Sequence, residues 1–205
     1  MTPRGDTPLP LVLAITGASG APYAVRVLGV LAHLRIPTWL IVSGHGWRLL
    51  SEECGIADLA GLKRATEGDS GWSTVTVYSD DDRGAKPASG SQRTQGMIVC
   101  PCSMGTVAAI AHGTSRSLVE RAADVTLKER RRLVLVPRET PLSLVHLRNL
   151  TAVSEAGATV LPAAPGFYHR PRGVADLVDF IAQRVLDQFG LDAAIAPRWG
   201  GDSNG

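Results

Sequence analysis

Residues 11–22 read LVLAITGASGAP, and the order of those residues decides the fold. Leu11 to Ile15 form a five-residue apolar run, the length and composition of a strand buried on both faces. The run stops at Thr16-Gly17-Ala18-Ser19-Gly20, small residues suited to a tight turn, and Pro22 stands where the first turn of a helix tolerates proline. Strand, turn and helix in that order open a parallel α/β unit.

The pattern repeats outward from there. Thr38 to Val42 reads as a second strand, ends at Ser43-Gly44 and leads into a helical stretch around Trp47 to Cys54. Met97 to Cys100 is a third apolar run, followed by the turn Pro101-Cys102-Ser103-Met104-Gly105-Thr106 and a helix of small residues from Val107 to His112. Leu133 to Val136 and Ala158 to Leu161 are further strands, each preceded by a helical pattern. Such alternation predicts a Rossmann-like α/β fold with a doubly wound, mostly parallel sheet. The last helix is expected from Val174 to Phe189, with Leu177, Val178, Ile181 and Val185 as its apolar arc. Residues 61–95 are richer in Gly, Ser, Thr and Asp, and only Val75 to Tyr78 reads as strand, so this segment is expected to be irregular and surface-exposed. The organisation expected is a flexible arm over residues 1–10, one domain over 11–190 and a C-terminal arm over 191–205.

A chain of 205 residues, 44% hydrophobic and 20% charged, can close one ordinary core. Its formal charge of +2 provides no general field for nucleic acid, so any anion site must be local. Three cysteines, Cys54, Cys100 and Cys102, are too few and odd in number for a disulfide framework and point to a reducing, cytoplasmic compartment. No apolar run approaches the roughly 20 residues of a membrane span, and the first ten residues lack the apolar stretch of a signal peptide.

In an open parallel sheet, ligands bind outside the carboxyl ends of the strands, where Gly17 to Gly20 falls. TGASG resembles the opening of short-chain dehydrogenases, yet three parts of a dinucleotide site are missing. There is no third glycine of GxGxxG. Ser43 stands where a ribose-binding acid is expected, and none of Tyr23, Tyr78 and Tyr168 is followed by lysine four residues on. No GxxxxGK[ST] loop is present either, so a mononucleotide fits better than NAD or ATP. The turn from Ser103 to Thr106 offers backbone N–H groups and two hydroxyls to an anion or a carbonyl-rich ring, or else caps a helix through Ser103. Cys100, Cys102 and His112 fall short of the four ligands of a zinc site, so no metal is expected. Arg121 and Lys128 share one helical face two turns apart, and Arg138-Glu139 follows a strand end. Arg184 falls within the apolar arc of the last helix, where it must snorkel, pair with an acid or meet an anion.

Seven phrases in order resemble the flavin prenyltransferase (UbiX-type) family: ITGASGAPYA, PASGS, CPCSMGT, LVERAADVTLKERR, LVLVPRETPLS, LPAAPGFYHRP and PRWG. The likeness spans about Leu11 to Gly200 and is weakest over residues 55–86. It implies FMN as the bound flavin, contacted by Gly17, Ala18, Ser19, Ser43, Ser103, Met104, Gly105, Thr106 and Arg138. It implies dimethylallyl phosphate as donor, held by Ser89, Arg121, Lys128, Tyr168 and Arg184. Glu53 and Glu139 match acids implicated in proton handling, and Trp199 matches an aromatic wall beside the prenyl group. The implied reaction joins the dimethylallyl group to N5 and C6 of reduced FMN, giving prenylated FMN for a UbiD-type decarboxylase. The implied assembly is a homo-oligomer, a dodecamer, with sites shared between chains.

That chemistry asks for anion binding, stabilisation of an allyl cation and exclusion of water, tasks suited to Arg121, Lys128, Arg184 and the π face of Trp199. No step needs Mg²⁺ if protein cations neutralise the phosphate. The rival readings are an FMN-dependent aminoacyl-cysteine decarboxylase, whose PASANT-type motif and catalytic His are not evident here, and a non-catalytic flavin carrier, which has no use for a buried Arg184 or Glu139.

Overall fold

A computed structural model of the chain describes residues 8–66 and 68–198. Six strands form one sheet: β1 (Leu11–Ile15), β2 (Thr38–Val42), β3 (Val75–Ser79), β4 (Gly96–Cys102), β5 (Arg132–Pro137) and β6 (Thr159–Val160). Their order is β3-β2-β1-β4-β5-β6 and every pairing is parallel. The helices are α1 (Ala21–His33), α2 (Gly44–Cys54), α3 (Leu59–Ala65), α4 (Gly68–Gly71), α5 (Met104–His112), α6 (Leu118–Lys128), α7 (Leu144–Glu155) and α8 (Val174–Asp187). Strand periodicity divides the core in two. Leu11, Leu13 and Ile15 of β1 pack with α1, α2 and α8, while Val12 and Ala14 face α5, α6 and α7 on the other side. The doubly wound sheet expected from the sequence is present, and the order of strand addition reverses between β1 and β4, opening a crevice at their carboxyl ends.

Residues 61–95 correct the expectation of an irregular, exposed segment. They carry α3, α4, β3 and two short 3₁₀ turns, Trp72–Thr74 and Lys86–Ala88, with Leu62, Trp72, Ala85 and Ala88 buried. These pieces are too short to show helical periodicity. Their order comes from tertiary contacts such as Trp72 Nε1, which donates to Thr66 O and Oγ1 at 2.9 Å. Of the expected N-terminal arm, residues 8–10 lie among those described, and the carbonyls of Leu9 and Pro10 accept hydrogen bonds from Gln95. The sheet-forming runs extend one or two residues beyond the predicted strands at β4 and β5, whereas β6 is shorter than predicted.

Candidate functional site

Three turns meet at the crevice. Thr16, which follows β1 and is only 2% exposed, donates its hydroxyl to Pro101 O at 2.8 Å and accepts the Ser103 N–H at 2.9 Å. Ser43 N–H donates to Ile15 O at 3.0 Å. The loops after β1, β2 and β4 are thereby fixed together, and the N-termini of α1, α2 and α5 collect at one end of the sheet. Their free N–H groups and dipoles favour negative or carbonyl-rich ligands. Ser43 caps α2 by accepting from Gly46 N at 3.1 Å, and Ser103 caps α5 by accepting from Thr106 N at 3.1 Å while sharing a 2.9 Å hydrogen bond with the Thr106 hydroxyl. The capping reading of Ser103 and its position in the cleft therefore coexist.

Glycine is required where these turns approach one another. A Cβ on Gly17 would lie closer than 3.0 Å to the His45 Cβ, and one on Gly46 would meet the carbonyl of Ile15 as closely. Gly20 has φ +127°, outside the range of ordinary L residues, and its N-cap role for α1 has no side-chain partner of its own. Glu53 supplies one from α2: its Oε2 accepts both Gly20 N–H and Ala21 N–H at 2.8 Å. Arg138, just past β5, reaches the same turn and donates through Nε to Ser19 O at 3.2 Å. Beside it, Glu139 is exposed and accepts from Thr140 N–H at 3.1 Å.

The resulting cleft measures about 210 Å³ and brings Gly17, Ser43, Ser103 and Thr106 together. Thr16, His45, Asp80, Ser117 and Glu120 also line it and were missed in the sequence. Asp80 had a legible signal, an acid immediately after a strand. It caps α6, accepting Val119 N–H at 2.9 Å through Oδ1 and Leu118 N–H at 2.7 Å through its carbonyl. His45 had none, because only folding brings it against Gly17. Gly17 beside the hydroxyls of Thr16, Ser43, Ser103 and Thr106, with the N-termini of α2 and α5 opening onto the same space, fits a flavin mononucleotide.

The residues expected to hold a phosphate form two separate groups within one chain. Ser89, Arg121 and Lys128 lie on the α5–α7 side, where Ser89 is hydrogen bonded to Ser91 at 2.9 Å, Arg121 to Asp124 at 2.6 Å and Lys128 to Glu129. Tyr168 and Arg184 lie on the α8 side. Tyr168 packs edge-on to Phe180 at 5.9 Å, and Arg184 pairs with Asp187 at 3.1 Å. Lys128 approaches Gly90 near the start of β5, and Phe189, just after α8, lies against Arg132 and Gly96 at the starts of β5 and β4. Lys128 thus sits toward the amino ends of the strands, whereas Arg184 lies beside Leu161, Pro162 and Ala164, which follow β6, and neither lines the flavin-type cleft. Arg184, expected to snorkel, pair with an acid or meet an anion, pairs with Asp187; its expected burial is corrected, since its side chain is 52% exposed and Gln183 takes the inward position. Glu139, also expected buried, is exposed because it follows the strand end. Trp199 lies outside the described residues.

Burial pushes the Cys100 and Cys102 thiols far above their ordinary pKa, which keeps both as neutral core groups. Among the described residues no group of three or more His, Cys, Asp or Glu is arranged to hold a metal ion, and no helix is long and apolar enough to cross a membrane.

A family model described as Flavoprotein matches residues 2–186. The chain is 47% identical over 201 residues to the flavin prenyltransferase UbiX of Deinococcus radiodurans, covering 97% of each. Among solved structures it resembles AnUbiX (PadA1) in complex with FMN and dimethylallyl pyrophosphate, with a TM-score of 0.85 and 41% identity over 96% of this chain and 100% of that one. A dodecameric FMN-dependent UbiX-like decarboxylase from Escherichia coli O157:H7 matches with the same TM-score, 0.85, and identity, 41%, over 94% of this chain and 100% of that one.

Proposed function

The chain belongs to the Flavoprotein family and, within it, to the flavin prenyltransferases, and from that premise we propose that it transfers a dimethylallyl group from dimethylallyl phosphate to reduced FMN, giving prenylated FMN for a UbiD-type decarboxylase. The observation that carries this reading is the cleft at the carboxyl ends of β1, β2 and β4, where Gly17, Ser43, Ser103 and Thr106, all expected flavin contacts, line one space. Reduced FMN supplies the nucleophilic N5 and C6 that receive the prenyl group.

The chain's residues divide the remaining work. Gly17, Ala18 and Ser19 form the floor, and Ser43 with Ser103, Met104, Gly105 and Thr106 present hydroxyls and backbone N–H groups to the flavin. Arg138 fixes the floor through Ser19 O and adds positive charge at its rim. Glu139 is the first candidate to move a proton, since its carboxylate is solvent-accessible beside that rim, and Glu53 is the second. Ser89, Arg121, Lys128, Tyr168 and Arg184 hold the donor phosphate, with Trp199 as the aromatic wall for the developing cation.

The donor residues work as one site only when chains assemble. Their separation within a chain supports a site shared between subunits, and so does the volume of the cleft, about 210 Å³ against the roughly 300–1,000 Å³ usual for ligand pockets. The assembly proposed is a dodecamer, as named for the Escherichia coli relative. The proposed compartment is the cytoplasm, where reduced flavin and three free cysteines are compatible. Anaerobic incubation with reduced FMN and dimethylallyl phosphate, followed by mass measurement of the extracted flavin, tests the activity. The expected result is a flavin heavier by one dimethylallyl unit. Unmodified FMN with donor bound would overturn it.

A further inference from the structure

Behind Tyr168 and Arg184 lies a second cavity of about 410 Å³, floored by α8 and closed by the segment that follows it. Its polar wall is a built cluster. Gln183, 3% exposed, donates through Nε2 to Asp187 Oδ1 at 2.8 Å and accepts the Ile195 N–H at 3.0 Å through Oε1. One buried amide thus stitches the C-terminal segment to α8. Asp187, whose side chain is 14% exposed, accepts three more contacts from the two arginines that line the same cavity. Arg198 grips it with two prongs, Nη2 to Oδ1 at 2.8 Å and Nη1 to Oδ2 at 3.2 Å. Arg184 offers a single prong, Nη1 to Oδ2 at 3.1 Å.

The two grips are unequal, and that decides which arginine is neutralised. A two-pronged guanidinium–carboxylate contact is the stronger and more directional form. With Arg198 present, Asp187 is satisfied mainly from the C-terminal segment, and Arg184 keeps most of its donors and its charge for the cavity. Asp192 accepts from Arg198 Nη2 at 3.0 Å and holds that guanidinium from its outer side.

We propose that Arg198 is a positioning residue for the donor anion: by occupying Asp187 it keeps Arg184 available to the phosphate, and it fastens the segment leading into Trp199 over the cavity. The inference rests on the reading of Arg184 as a donor contact. Without Arg198, the Asp187 carboxylate turns fully to Arg184 and competes with the incoming phosphate for it.

The test uses the assembled enzyme with FMN bound and reads the donor KM alongside FMN affinity. Arg198→Ala is expected to raise the KM for dimethylallyl phosphate about tenfold or more, the scale of one charge-assisted contact, with FMN affinity unchanged. Arg198→Lys, which keeps the charge and loses the fork, is expected to fall between. Adding Asp187→Asn to Arg198→Ala is expected to restore most of the donor KM, since the competing charge is gone. A simple tether would show no such rescue, so a raised KM that Asp187→Asn fails to relieve overturns the proposal. An unchanged KM in Arg198→Ala, or an equal loss of FMN affinity, does so as well. If Arg184→Ala itself leaves the donor KM unchanged, the reading of the donor site fails and this inference with it.

Discussion

At the scale of single residues, Thr16 holds the two halves of the cleft together, because one hydroxyl serves the loop after β4 both as donor and as acceptor. Thr16→Val keeps the shape and deletes both roles, leaving the Pro101 carbonyl and Ser103 N–H without that partner in a buried place. The expected cost is about 1–3 kcal/mol of stability, measured by urea unfolding, together with weaker FMN binding by fluorescence titration. An equally stable variant with unaltered FMN affinity would show that the two loops hold their positions independently. Glu139 makes a different kind of prediction. Its carboxylate accepts Thr140 N–H, and glutamine retains that acceptor. Glu139→Gln should therefore bind FMN and donor normally while kcat falls about 10²–10⁴-fold, the usual worth of general acid–base help. A fall of under about threefold would move the role to Glu53. The residues legible in the sequence were those whose work is local: Ser43 and Ser103 cap the helices they precede, and Gly17 turns the chain. The partner of Ser103 is 87 positions away at Thr16, and nothing short-range announces it.

At the scale of elements, α1 and α6 begin on partners that the strand pattern does not reveal. Helix α1 is capped by Glu53 from α2, so the acid assigned to proton handling also fastens the flavin turn. Helix α6 begins on Ser117 and Asp80, and Glu120 folds back from its first turn to accept Arg116 N–H at 2.7 Å and the Thr114 hydroxyl at 3.0 Å. Burial works to raise the Glu120 carboxyl, but the Arg116 N–H and guanidinium and the Thr114 hydroxyl outweigh it and hold the group below its ordinary value of 4.5. A carboxyl depressed by folding stabilises the native state above its unfolded pKa and loses that contribution as pH falls through the folded one. Thermal stability should therefore be level at neutral pH and decline below about 4.5, and Glu120→Gln should be less stable at pH 7 with a shallower acid decline. Parallel melting curves across pH check this, and an identical slope in the variant would assign the acid sensitivity to other carboxylates. The strands were legible because burial on both faces leaves unbroken apolar runs, whereas α3, α4 and the 3₁₀ turns are each under two helical turns and carry no period to read.

At the scale of the whole molecule, the proposed flavin and donor residues of one chain line separate spaces. The flavin-type cleft lies at the carboxyl ends of the strands, while Lys128 and Arg184, on opposite faces of the sheet, do not line it. Shortly after Arg138 and Glu139, Leu142, Leu144, Val145 and Leu147 are 44%, 61%, 62% and 47% exposed, an apolar surface of the kind that marks an interaction site. The flavin half was legible from motifs because it is built from consecutive residues. The proposed donor residues were legible only as scattered positions, since no short-range pattern joins Ser89, Arg121 and Lys128 to Tyr168 and Arg184. If subunits share the site, defects in different halves should complement. A chain carrying Thr16→Val, defective at the flavin cleft, and a chain carrying Arg184→Ala, defective at the donor, each supply what the other lacks. Mixed assemblies refolded or co-expressed from the two should show more prenyl transfer than the average of the two pure assemblies, because some interfaces join an intact cleft to an intact donor arm. Mass measurement of the extracted flavin reads the recovery directly, and a different affinity tag on each variant, purified in succession, confirms that mixing has occurred. Mixed assemblies no more active than the average of the two parents would mean that each chain completes its own site, and Lys128 and Arg184 would then need a different ligand.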